Sequence, residues 1–404
     1  MKKNLLTIPS SEEIKSHMIK SLEKYWPDKN YKKKLMNLPI KQTKIKFLKL
    51  PLSCTFIDLP DWANKHGLSD KILVPNEAIL KKNWKNIDWW YASFLLLESC
   101  HEREFEKKYG PIHSYSYHLK NWDKRVWEKA WVNRIAIFLR IWVKEENPRI
   151  NLPPISKTEI RLTHDLDAIS KTLPIRIKQS LRYLYNFEFK KALEFFFKKE
   201  DWFIPSKLIK LENNLAPKPI INIHAKDKFR GPLEWLLDPS YKISDKKLKN
   251  ILKKLIYNGW MIGLHPSFFS WKSSKKIRKE KLRVEREFGI KVLSIRQHWL
   301  RFSWEKTWHA QASAGIKMDS TLMFNDIPGF RNSAVIDFIS FYSYQGPIIR
   351  STVFMDSHKD NYLGDLIDEI KLVNGNADLL WHTHTLNEDY GYFKSLRFAI
   401  KRIK

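Results

Sequence analysis

The sequence has little cysteine: Cys54 and Cys100 are the only two in 404 residues. That excludes a disulfide framework, and no Cys-x-x-Cys pair offers thiolates to a metal. Long apolar runs are missing too. None reaches the ~18 residues that a transmembrane helix needs. The start, Met1-Lys-Lys-Asn-Leu-Leu-Thr-Ile-Pro9, lacks the ~7–15 apolar residues of a signal peptide. A cytoplasmic setting is therefore expected. No repeat of ~20–50 residues and no low-complexity segment is present. Glycine is scarce at 12 residues, while 43% of the chain is hydrophobic. That is enough to fill a core, so disorder is excluded as the main state.

Acidic residues are also in short supply. There are 44 Asp and Glu against 73 Lys and Arg, a net charge of +29. Such an excess raises nucleic acid, an anionic membrane surface or an acidic substrate. The lysines are dispersed, as in YKKKL, LKKNW and FKKAL, and no block dominates. No recognition helix, RNP-type strand or zinc-finger spacing accompanies them. Nucleic-acid binding is thus disfavoured, and compositional bias is the simpler reading.

Three prolines between Asn147 and Ser156 mark the best boundary. Residues 1–150 form an N-terminal accessory domain, mixed α/β to helical. A strand is expected within Ile45–Phe56, one helix over Asp88–Tyr109, and another over Asn121–Lys144 with Asn121 as N-cap. The last is basic and tryptophan-rich. It suits either an anionic membrane surface at the inner membrane face or, the preferred reading, packing within its own domain. Residues 156–404 alternate strand and helix. Strands are expected at Glu159–Thr163, Pro219–His224, Trp260–His265, Ile290–Arg296, Lys317–Leu322 and Asp378–His382. Helical stretches lie between them, including about 171–200, Asp245–Asn258, Lys275–Phe288 and Thr307–Gly315. This order predicts an α/β fold with parallel strands and crossover helices.

The strands end in reactive side chains, where barrel active sites collect. Asp165 and Asp167 leave the first strand two apart and suit a divalent metal, or a metal ligand beside a base. Gly263-Leu-His265 closes another strand. Arg296 and His298 could share a face; the arginine would depress the pKa of a nearby aspartate, and the histidine would ligate metal or move a proton. Asp319 follows a short strand, as catalytic residue or turn former. His382 and His384 end the last one. Each taken alone has an ordinary structural reading. Together they predict a site of carboxylates and imidazoles with a divalent metal. Zn is the cation expected, with Co, Ni, Mn or Fe as alternatives; the N/O donors themselves suit Zn, Co, Mn and Fe alike.

The order of five motifs, L-T-H-D-L-D, G-L-H-P-S, R-Q-H-W-L-R-F, D-S-T-L followed by G-F-R, and L-L-W-H, resembles the polysaccharide deacetylase (NodB-like, carbohydrate esterase) family. Gly110–Tyr117 and Ala130–Arg134 extend the resemblance loosely upstream. It implies a deformed (β/α) barrel that hydrolyses N-acetyl groups on a sugar of a cell-surface polysaccharide or its precursor. Asp165 matches the base, Asp167 and His265 metal ligands, Arg296 the residue positioning the base, and His382 the general acid. Asp319 joins the catalytic set, and Arg331, Trp299 and His384 are substrate-binding candidates. One departure matters. The family's second metal histidine, four residues after the first, is Phe269 here. His298 is the candidate replacement, with His384 the alternative. A catalytically inactive glycan-binding relative and a metal-independent cyclic amide hydrolase remain open.

Overall fold

The computed structural model describes residues 5–404 apart from 27, 45–46, 65–67, 69, 172, 199–204, 226–230, 232–233, 235–236, 240, 344 and 388–389. Ten strands are used below. β1 (Cys54–Asp58) and β2 (Lys71–Pro75) pair antiparallel as a small ribbon. The strand expected from residue 45 is β1; residues 45 and 46 lie outside the described residues.

The other eight form one parallel sheet: β3 (Glu159–Leu166), β4 (Ile220–Ile223), β5 (Met261–Leu264), β6 (Ser294–Ile295), β7 (Met318–Asp319), β8 (Ile348–Ile349), β9 (Thr352–Met355) and β10 (Asn376–His382). Their order is β8-β7-β6-β5-β4-β3-β10-β9. β8 and β9 are opposite edges of that sheet, yet only Arg350 and Ser351 separate them. Three chain steps reach about 11 Å at most. The two edges must therefore meet, and the sheet curls into a barrel closed through one kinked segment. The backbone N–H of Arg350 donates to Asp319 O at 2.9 Å on one side, and Asp378 N–H donates to Ser351 O at 3.0 Å on the other. The fold is α/β, a deformed (β/α) barrel.

Side chains on β3 alternate with the strand period of two. Ile160, Leu162 and Leu166 enter the apolar layer under the helices. His164 is on that side as well, bonded to Glu212 at 3.0 Å and stacked on Trp260. Arg161, Thr163 and Asp165 point into the barrel, which holds a polar network rather than an apolar plug. Arg161 grips Asp378 through two hydrogen bonds of 3.0 and 2.9 Å.

Two expected helices differ from the structure. The 88–109 stretch is two helices, Trp89–Leu97 and Cys100–Tyr109, broken where Ser99 takes a left-handed φ of 46°. Glu98 at the break is buried and accepts from Arg103, Ser340 Oγ and Phe341 N. Asn121 is no N-cap: its φ is 65°, and Asp123 caps a short turn at Lys124–Trp127 instead. The long helix starts at Trp131 and runs to Glu146. Its first N–H groups find partners in the barrel: Ala130 N–H donates to Glu369 at 3.1 Å and Val132 N–H to Ser333 O at 2.9 Å. Twelve of its sixteen residues are buried, Trp131 and Trp142 included. This helix packs inside the molecule and is no membrane-lying surface.

Residues before 150 share a hydrophobic cluster with Phe302, Trp304, Trp308, Leu322 and Phe338 of the barrel half. Buried ion pairs cross the same junction, Arg134 with Glu369 at 2.6 Å and Arg331 with Glu102 at 2.8 Å. Among the described residues, no helix is long and apolar enough to cross a membrane.

Candidate active site

The register of the sheet sets the site. Asp165 of β3 lies opposite His382 on β10 and opposite Asn222 on β4; Asn222 lies opposite Gly263 on β5. The C-terminal strand ends therefore share one level. Asp165 Oδ1 accepts from Asn222 Nδ2 at 2.8 Å and from Arg296 Nη1 at 3.1 Å. Gly263 makes room for that amide. A Cβ there would stand 2.0 Å from Asn222 Oδ1 and 2.8 Å from Ser294 Oγ.

Arg296 is fully buried and crosses the barrel. It also donates to Thr163 Oγ1 at 2.8 Å, Thr352 Oγ1 at 2.9 Å and Ser320 O at 3.0 Å. Burial alone would raise the Asp165 carboxyl. Arg296, with His265 and His382, outweighs it and holds Asp165 below the usual range.

Asp167, one residue beyond β3, is the centre of the cluster. Its Oδ1 lies 3.3 Å from His265 Nε2 and 3.8 Å from His298 Nε2. Its Oδ2 lies 3.7 Å from His382 Nε2. Burial would raise this carboxyl too, but His265, His382 and His298 hold it well below the ordinary value. Each histidine is oriented from behind through Nδ1. His265 Nδ1 donates to Arg296 O at 2.8 Å, because a carbonyl can only accept. His298 Nδ1 faces Asp238 at 3.3 Å and His382 Nδ1 faces Asp356 at 2.8 Å. Burial would lower His382; Asp356, then Asp167 and Asp165, lift it to about 10.

Asp167, His265 and His298 each offer one donor atom, all within 4.8 Å of one another. Bonds of about 2.1 Å in tetrahedral geometry put ligand atoms roughly 3.4 Å apart. The separations of 3.3 and 3.8 Å suit that spacing. Both histidines present Nε2 with Nδ1 engaged, the usual arrangement of metal-bound imidazole. Asp167 Oδ1 is buried and, among the described residues, has no hydrogen-bond partner. The donor set fits a divalent cation.

Phe269 is turned outward and 37% exposed, with Lys276 near its ring. Its loop is held by Ser267, which donates from N and Oγ to Glu280 at 2.7 and 2.6 Å. His298 reaches the centre instead, carried on an unusual turn. Trp299 and Leu300 are successive left-handed residues, φ 57° and 47°. Such non-glycine conformations cost about 1–3 kcal/mol each and persist only where surroundings impose them. Here Asn325 Nδ2 donates to Trp299 O at 3.0 Å and Ser114 Oγ to Leu300 O at 2.6 Å.

Other expected residues lie apart from the cluster. Arg331 is buried, and its guanidinium is engaged by Glu102, Ser114 Oγ, Met323 O and His113 O. It joins the two halves of the chain, and no donor is left for a substrate. Asp319 is fully buried and accepts from Trp308 Nε1 at 2.9 Å and Gln311 Nε2 at 3.0 Å, a structural anchor. His384 is not in the ligand set; its ring is 5.7 Å from that of His382. Burial, and next the charge of His382, lower it to about 4. Trp299 sits at the rim, 47% exposed, its Nε1 bonded to Leu237 O.

Three residues at the site escaped the sequence reading: Asn222, Asp238 and Asp356. Asn222 interrupts an apolar strand, and Asp356 ends the run Thr352–Met355, so the signal of a polar residue at a strand end was present for both. Asp238 lies in a loop and carried none.

No family model matches the sequence, and no curated protein matches it. Among solved structures, it is similar to a protein from Mycobacterium smegmatis assigned as a polysaccharide deacetylase, with 12% identity, TM-score 0.38, and coverage of 63% of this chain and 86% of that one. It is similar to the Xyl-CE4 domain of a multidomain xylanase from the hindgut metagenome of Trinervitermes trinervoides (10% identity, TM-score 0.27, 61% and 83% covered). A third is a CE4 family pseudoenzyme from Bacillus anthracis (14% identity, TM-score 0.25, 62% and 66% covered). At such scores the likeness carries no argument about chemistry, which rests on the side chains above. Of these three solved structures, one is assigned as a polysaccharide deacetylase, one is a CE4 domain and one is a CE4 family pseudoenzyme.

Proposed function

We propose that this protein is a metal-dependent hydrolase that removes N-acetyl groups from a sugar of a cell-surface polysaccharide or its precursor. The observation that supports it best is the meeting of Asp167, His265 and His298 beside two further devices, Asp165 on Arg296 and His382 on Asp356. Asp167, His265 and His298 would hold the cation, which when bound supplies Lewis acidity toward an amide carbonyl and lowers the pKa of water.

The remaining work falls to side chains. Arg296 and Asn222 both occupy Asp165 Oδ1, leaving Oδ2 turned toward the centre, 3.9 Å from His265 Nε2. Ionised by Arg296, Asp165 takes a proton from the attacking water as general base. His382, kept protonated by Asp356, points Nε2 into the same space and gives its proton to the departing amine. Products are acetate and an amino sugar.

The test measures cation content and acetate release from N-acetylglucosamine oligomers. Asp165→Asn is expected to lose about 10²–10⁴-fold in turnover, the usual share of a general base, and to keep its cation. Wild-type turnover in that variant would remove Asp165 from the role. A chain that takes up no cation and releases no acetate would favour the glycan-binding alternative.

A further inference from the structure

The segment between β3 and β4 leaves the barrel six residues after Asp167 and forms two helices, Leu173–Tyr185 and Phe189–Phe197, packed on each other. Their exposed residues are the wrong ones for water. On the first helix Leu173, Ile177, Leu181, Leu184 and Tyr185 are exposed. The spacing of four, four, three and one puts them on one helical face. On the second, Phe189, Leu193 and Phe197 are exposed at spacings of four, while Ala192 and Phe195 point inward. At the turn, Tyr185 is 85% and Phe187 81% exposed. Phe187 holds a left-handed φ of 59°, a conformation that normally favours glycine or asparagine.

Basic residues flank these stripes. From Leu173 to Phe197 the chain has Arg176, Lys178, Arg182, Lys190 and Lys191 against Glu188 and Glu194. Apolar stripes left exposed on two adjoining helices, with Phe187 and Phe189 in ring contact at the turn, mark an interaction site. The charge selects the occupant. A second copy would bring like charge against like charge, on a chain whose net charge is +29. Apolar stripes with aromatic residues, bordered by lysine and arginine, fit the headgroup–acyl boundary of an anionic bilayer, where cationic heads stay at the phosphates.

We infer that the 173–197 hairpin is a membrane-docking element that seats this protein on an anionic lipid surface. The hairpin also borders the candidate site. Phe195 meets Tyr390, Tyr390 meets His384, and His384 meets His382, at ring separations of 6.3, 5.7 and 5.7 Å. Docking therefore holds the mouth of the barrel near the bilayer. This inference does not depend on the deacetylation reading, because vesicle binding is measured without turnover.

The experiment is co-sedimentation of the full chain with phosphatidylcholine vesicles, with and without phosphatidylglycerol, at low salt and at about 1 M salt, where charge attraction is screened within ~3 Å. Wild-type protein is expected to pellet with the anionic vesicles, more weakly at high salt and on phosphatidylcholine alone. Leu181→Glu with Phe189→Glu should weaken binding by about tenfold or more per side chain. A second variant, Tyr185→Ser with Phe187→Ser, tests the tip. Both change exposed positions, so their melting transitions should match wild type. Equal sedimentation with and without phosphatidylglycerol, or variants that bind like wild type, would overturn the inference. So would a wild-type dimer, seen by analytical ultracentrifugation, that these substitutions dissolve and that binds no vesicles; the face would then belong to a second copy.

Discussion

Gly263→Ala offers a demanding test of the site's geometry. The added Cβ would lie 2.0 Å from Asn222 Oδ1, inside any tolerable contact, and 2.8 Å from Ser294 Oγ. Asn222 must swing away. In doing so it gives up its 2.8 Å hydrogen bond to Asp165. Overpacking a tight site costs about 1–3 kcal/mol. A hydrogen bond to a charged group contributes about 1.5–3 kcal/mol. Together they predict a loss of roughly 2.5–6 kcal/mol. The assay is a double-mutant cycle with Asn222→Ala, read by denaturant unfolding. Truncating Asn222 removes the clashing atoms, so Gly263→Ala should cost far less in that background. A coupling energy of at least about 1 kcal/mol is expected, in the range found for touching residues. If Gly263→Ala costs the same in both backgrounds, Asn222 does not occupy that space and the placement of Asp165 is wrong.

Further outcomes follow from the same geometry. His298→Ala should lower the bound divalent cation measured by elemental analysis, whereas Phe269→Ala should leave it unchanged, because Phe269 faces outward. Ser114→Ala removes the hydroxyl that holds Leu300 O at 2.6 Å; it should cost about 1 kcal/mol in stability and weaken cation affinity in titrations, although no ligand has changed. Acid should destabilise the fold through His113 and His358, each lowered from 6.5 to about 4, by burial foremost. Their folded pKa values lie below the unfolded ones, so the unfolded chain binds more protons between those limits. Stability should fall as pH drops from 6.5 toward 4, with no contribution from them above that window. Replacing both by phenylalanine should flatten that part of the stability–pH curve.

Much of the barrel is legible in the sequence because its strands are short apolar runs and its helices carry lysine-rich outer faces. Ser273 and Gly289 flank the helix Ser274–Phe288 as cap and stop, and the periodicity between them leaves little choice. β8 and β9 are harder to see. Four residues or fewer carry too little pattern, and their place depends on partners about 30 residues upstream in β7 and about 25 downstream in β10. The break at Ser99 and the late start of the helix at Trp131 are likewise imposed from outside, by groups that satisfy Glu98 and the N–H of Ala130.

The sequence by itself determined the chemistry available: an α/β chain whose apolar strands end in Asp165, Asp167, His265, Arg296, His298 and His382. Strand ends are set by local pattern, so their side chains can be counted without knowing the fold. It could not say which of them meet. Curling the sheet brings β3, β5, β6 and β10 together at one level, and that decided that His298 faces Asp167 while Arg331 and Asp319 are anchored elsewhere. The tertiary structure also decided which apolar surfaces stay outside. The tryptophan-rich helix Trp131–Glu146 is covered on nearly all sides, mostly by the helices and strands before residue 130 and in part by the barrel half, whereas the stripes of the 173–197 hairpin face outward. An apolar stripe looks the same in sequence whether a partner covers it or not; only packing distinguishes the two.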